Sequence, residues 1–84
     1  MHKNIHAVWS NIIRNENEIF RTITGKPYTY IVKNNFILIN NKNRITKDAV
    51  SQALLIENPS PSKLNSAGIW GPSYVYGIIT DNRI

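Results

Sequence analysis

An α+β fold is what the sequence predicts for these 84 residues, and three observations carry that expectation. Apolar residues at helical spacing open the chain. A run of β-branched and aromatic segments follows, cut by Gly-Lys and Asn-Asn pairs. A second helical pattern then stops at closely spaced prolines. The length fits a single domain spanning residues 1–84. Its core must come from packing, since there is no cysteine for disulfides and no His/Cys cluster for a structural metal.

Ile5, Val8, Trp9, Ile12 and Ile13 lie at i, i+3, i+4, i+7 and i+8, the spacing of one buried helical stripe. Asn4 suits the N-cap, because its side-chain oxygen can accept from the free amides of the first turn. NENE, residues 15–18, ends the helix. IFRTIT, PYTYIVK and FILIN then read as a three-stranded antiparallel meander, turned at Gly25-Lys26 and Asn34-Asn35. After Gly, Asn enters the left-handed region most easily, which suits it to two-residue hairpins. These turns set a register: Ile23 opposite Tyr28, Arg21 opposite Tyr30, Ile31 opposite Leu38 and Val32 opposite Ile37. Alternation along the strands gathers Ile19, Arg21, Ile23, Tyr28, Tyr30, Val32, Ile37 and Ile39 on one face. Phe20, Thr22, Thr29, Ile31, Lys33, Phe36, Leu38 and Asn40 fall on the other.

In NNKNRITKDAV, residues 40–50, Thr46 is the expected N-cap of a second helix, with Ile45 stapled to Val50. Ala49, Val50, Ala53, Leu54 and Ile56 make its apolar side. NPSPS, residues 58–62, stops it, because proline lacks the amide donor and disfavours helix just before itself. Residues 58–71 read as a long loop pinned by Leu64, Ile69 and Trp70. GPSYVYGIITD reads as a short C-terminal helix with Pro in its first turn. Its β-branched and aromatic content leaves a strand as the alternative.

The net charge of +5 is unevenly spread. Between residues 19 and 47 lie Arg21, Lys26, Lys33, Lys42, Arg44 and Lys47, with no acid among them. Such asymmetry points to a basic face turned toward an anionic partner. Lys42, Arg44 and Lys47 surround the expected helix start, where the dipole disfavours cations and attracts anions, so a phosphate there explains them. Lys26 and Lys33, at opposite ends of the hairpins, extend the phosphate track. Arg21 with Tyr28 and Tyr30 is a second candidate, a stacking platform for bases if their face is open. If that face is closed, the tyrosines are core and Arg21 snorkels to water.

The leading expectation is a small, non-enzymatic, nucleic-acid-binding protein, with DNA ahead of RNA. Some DNA-binding modules lay a three-stranded sheet in the major groove, an analogy of shape alone. The alternative is a protein-interaction module, a small regulator or inhibitor from a phage or mobile element, or a homodimer. It would act through Trp70, Tyr74 and Tyr76, since aromatic residues dominate binding hot spots. The heavy use of Asn and Ile, both encoded by AT-rich codons, is the basis for that origin.

Catalysis finds no footing. His2 and His6 are four apart but lack further metal ligands, and the serines stand in no nucleophile motif. TGKP lacks the glycine-rich run of a phosphate-binding loop. No catalytic residue, metal or cofactor is therefore expected. No apolar run reaches the length of a membrane span or a signal peptide, and the lack of cysteine fits a reducing compartment. A soluble cytoplasmic protein is the expectation.

Overall fold

The computed structural model describes residues 4–84. His2 of the histidine pair lies outside the described residues. The chain is α+β, with the order α1 (Ile5–Arg14), β1 (Phe20–Arg21), β2 (Pro27–Tyr28), β3 (Tyr30–Lys33), β4 (Phe36–Ile39), β5 (Asn43–Thr46), α2 (Lys47–Leu54), α3 (Pro61–Ser66) and α4 (Pro72–Ile79). No helix among the described residues is long and apolar enough to cross a membrane.

Helix α1 begins as its sequence dictates, with Asn4 Oδ1 accepting from the amides of His6 (2.8 Å) and Ala7 (3.4 Å). Val8, Trp9 and Ile12 are buried, while Ile13 at the margin of the stripe is 49 % exposed. NENE ends the helix and has a second use. The Asn17 amide donates to the Tyr30 carbonyl, and Glu16 Oε1 accepts from the Val32 amide at 2.7 Å. The outer edge of β3 is thereby closed.

The meander differs from the expected one in its membership. The three-stranded antiparallel sheet is β3–β4–β5, and β1 and β2 form a separate two-stranded ribbon. Ile31 faces Leu38 and Val32 faces Ile37 across the Asn34-Asn35 turn, as the sequence predicts. The segment after Asn40, expected to lead straight into a helix, first makes β5. Asn40 and Asn41 both take positive φ, 52° and 57°, and Ile45 then faces Ile37 from β5. A paired left-handed Asn-Asn turn matches the twist of a hairpin.

The first hairpin is where the expected register fails. Phe20 faces Tyr28 and Arg21 faces Pro27, so β1 is displaced by three residues from the predicted pairing. The cause is a wider turn. The Thr22 amide donates to the Lys26 carbonyl, the Gly25 amide to the Thr22 carbonyl, and Thr22 Oγ1 accepts from the Lys26 amide. An odd displacement exchanges the faces of a strand. Phe20 is therefore buried, while Ile19 and Ile23 are 59 % and 62 % exposed.

Tyr30, Ile37, Ile39 and Ile45 line the inner face of the sheet and pack with Val8 and Ile12 of α1, Val50 and Ala53 of α2, Leu64 of α3, and Val75 and Ile78 of α4. Thr46 caps α2 by accepting from the Ala49 amide at 3.1 Å. The stretch read as a long loop contains α3, because Ser60 caps it and Pro61 occupies its first turn. Proline stops a preceding helix, but at N1 it starts the next. Leu64 and Ile69 pin this segment as expected, whereas Trp70 is 55 % exposed. The terminal element is a helix, entered through Gly71 at φ 63°.

Candidate nucleic-acid interface

The outer face of β3–β4–β5 carries two cross-strand rows. Ile31, Leu38 and Arg44 form one, and Lys33, Phe36 and Thr46 form the other. Ile31, Leu38 and Phe36 are half-buried by their neighbours, and Lys33, Arg44 and Thr46 are exposed. All four helices supply buried residues to the core that holds the inner-face side chains. The outer face is thus a shallow apolar floor with cations around it and no acid in either row. The Arg44 guanidinium lies over the Phe36 ring, 4.5 Å from its centroid. That contact both holds Arg44 against the sheet and keeps its charge at the surface.

The cations predicted from sequence separate into distinct places. Lys33 and Arg44 belong to the open face, and Lys42 stands in the β4–β5 turn beside it. Lys47 begins α2, but its ammonium lies 5.7 Å from the centroid of the Trp9 ring of α1. The α2 start already has Thr46 as its cap and Asp48 in its first turn. The expected cluster around one helix start is therefore corrected: Arg44 is a sheet residue, Lys42 a turn residue, and Lys47 alone occupies the helix. Lys26 lies elsewhere, in a groove of about 250 Å³ shared with Thr22, Thr24, Ser73 and Tyr74.

The platform of Arg21, Tyr28 and Tyr30 does not exist. Both tyrosines are buried, at 2 % and 1 % exposure. Tyr28 donates to the Tyr74 carbonyl at 2.9 Å and Tyr30 to the Ile12 carbonyl at 2.6 Å. Burial pushes both phenols well above the ordinary tyrosine range. Arg21 is exposed and donates to the Gly25 carbonyl instead. These three are fold residues with no open ring to offer a base.

Trp70, Tyr74 and Tyr76 also divide. Tyr74 packs edge-on against Tyr28 at 5.0 Å, and Tyr76 is half-buried against the core. Trp70 is the exposed one, in a groove of about 240 Å³ with Arg44, Thr46, Asp48, Gln52 and Ile69. Arg44 is common to the open face and to this groove. Strand alternation puts Phe36 on the face opposite the tyrosines, and the only sign of a role in the sequence is its alternation with Leu38 between flanking positive residues. Among the described residues no group of acids and histidines could hold a metal ion. Compared with protein-family models, curated proteins and solved structures, the chain matches none.

Proposed function

We propose that the protein binds nucleic acid through the open face of β3–β4–β5. One observation carries this reading: a sheet face left uncovered by the helices, whose charged residues are all cations and whose aromatic ring lies under a guanidinium. Lys33, Lys42 and Arg44 neutralise phosphates, and the apolar floor meets bases or sugars. Three of the six cations between residues 19 and 47, Lys33, Lys42 and Arg44, belong to this face or its turn, and their charge supports the same reading by attracting a polyanion there.

The test is a salt titration of oligonucleotide binding by the parent protein and by a Lys33→Ala/Lys42→Ala/Arg44→Ala variant. Each lost phosphate contact should lower the slope of log affinity against log salt by roughly 0.7–0.9. The variant should bind all sequences more weakly, with a flatter slope. Unchanged affinity in the variant would refute the assignment. Lys47 is left intact because of its contact with Trp9.

A second reading, a protein-interaction module, has the exposure of Trp70 and of Leu55 in its favour, at 55 % and 70 %. It expects a self-association that Trp70→Ala abolishes in sedimentation velocity. A monomer at all concentrations removes the homodimer form of that reading.

A further inference from the structure

Resting on the nucleic-acid reading, we infer that the ligand is a single strand, running from the open face over the β5 edge into the groove where Trp70 stacks a second base. A sheet that reads the major groove of a duplex does so chiefly through side chains that hydrogen-bond to base edges. The outward residues of β4 are Phe36 and Leu38, half-buried and without a polar atom. They offer a base edge no hydrogen bond. They do suit the face of an unpaired base, for which an aromatic ring or a guanidinium is a sequence-tolerant partner. A base laid on the Phe36–Arg44 pair meets a guanidinium backed by an aromatic ring.

The edges favour one direction for the path. Glu16 places a carboxylate at the β3 edge, which repels phosphate, whereas Arg44 lies on β5, so a strand crossing the sheet leaves over β5. Arg44 stands at that edge and lines the Trp70 groove as well as the face, which makes the two surfaces continuous. Asp48, hydrogen-bonded to Gln52, sits in the groove wall and repels phosphate. The groove therefore takes the base and leaves the backbone toward the Lys42 end of β5.

The experiment uses the protein's own fluorescence. Of its two tryptophans, Trp9 is 7 % exposed and Trp70 55 %, so a ligand at the surface acts mainly on Trp70. The probes are short oligothymidine, oligouridine of the same length, and a blunt DNA duplex of similar length. Either single strand should quench the emission and bind about tenfold or more tighter than the duplex. The preferred one distinguishes DNA from RNA. Trp70→Ala should weaken single-strand binding about tenfold, with circular dichroism unchanged, and Trp70→Phe should restore most of it. Duplex binding as tight as single-strand binding overturns the single-strand inference and leaves the function standing. Single-strand binding without quenching, and indifferent to Trp70→Ala, overturns the groove path. Binding of none of the three probes at low salt overturns the function itself. Loss of self-association rather than of oligonucleotide affinity in Trp70→Ala transfers the groove to a protein partner.

Discussion

Tyr28 and Tyr30 show how a side chain that looks functional in sequence is spent on the fold. Ile12 lies in the last turn of α1, where carbonyls lack helical partners, and the Tyr30 hydroxyl supplies one at 2.6 Å. Tyr30→Phe should cost about 1–3 kcal/mol in chemical denaturation, the range for leaving a buried acceptor unpaired. An unchanged midpoint and slope would show that water replaces the hydroxyl. The same two phenols predict an alkaline transition. Their pKa values in the fold are raised, chiefly by burial, above the ordinary value of 10.0. A group whose folded pKa is raised stabilises fully below its unfolded pKa. From about pH 10 upward the unfolded chain ionises first, so stability falls as pH rises. Tyrosinate absorbance from Tyr28 and Tyr30 should therefore appear together with loss of circular dichroism. Ionisation of all four tyrosines in a chain that stays folded contradicts the burial argument.

At the level of elements, Gly77 carries a constraint that no periodicity reveals. It lies in α4 where that helix packs against β1, and a Cβ there would stand 2.7 Å from the Arg21 carbonyl oxygen and from Tyr28 Oη. Gly77→Ala gains about 1 kcal/mol of helix propensity. Overpacking against backbone costs about 1–3 kcal/mol, and the Tyr28 bond to the Tyr74 carbonyl is disturbed as well. A lowered melting temperature is the expected net result, and a raised one would mean that α4 is free to shift. The elements themselves were legible where one signal acted alone. Asn4 and Thr46 cap the helices they were expected to cap, and the Asn34-Asn35 hairpin has its predicted register. Legibility failed where one residue serves two elements. Ile45 and Thr46 end β5 and also begin α2, so the helix signal hid the strand. Pro61 has the signature of a stop for α2 and acts as the start of α3. In the first hairpin Gly25 marks a turn but not its width, which is set by a local bond from the Lys26 amide to the Thr22 side chain that no periodicity signals. The candidate site inherits this pattern. Charge alone found Lys33, Lys42 and Arg44, but Phe36 becomes visible only once β5 places Arg44 diagonally across from it.

For the molecule as a whole, the charge distribution predicts opposite responses of stability and binding to salt. The residues from 19 to 47 hold six cations and no acid, whereas the rest of the chain is nearly balanced. The molecule measures 28 × 27 × 22 Å. At about 0.01 M salt the screening length is roughly 30 Å, so every cation in that stretch repels every other across the protein. At about 0.1 M it is roughly 10 Å, and only near neighbours such as Lys42 and Arg44 still interact strongly. The Asp81–Arg83 bridge lies outside this stretch and relieves none of the repulsion within it. Adding salt over this range should therefore raise the melting temperature of the free protein by a few degrees, about half a kcal/mol for a domain of this size. The Lys33→Ala/Lys42→Ala/Arg44→Ala variant has less repulsion to relieve, so its rise should be smaller. The same salt should weaken oligonucleotide binding, since the cations that repel one another in the free protein are those that meet phosphate in the complex. A melting temperature that falls with salt in the parent protein would mean that attraction outweighs repulsion. The basic stretch would then already be neutralised within the fold, and its claim on an anionic partner would be lost.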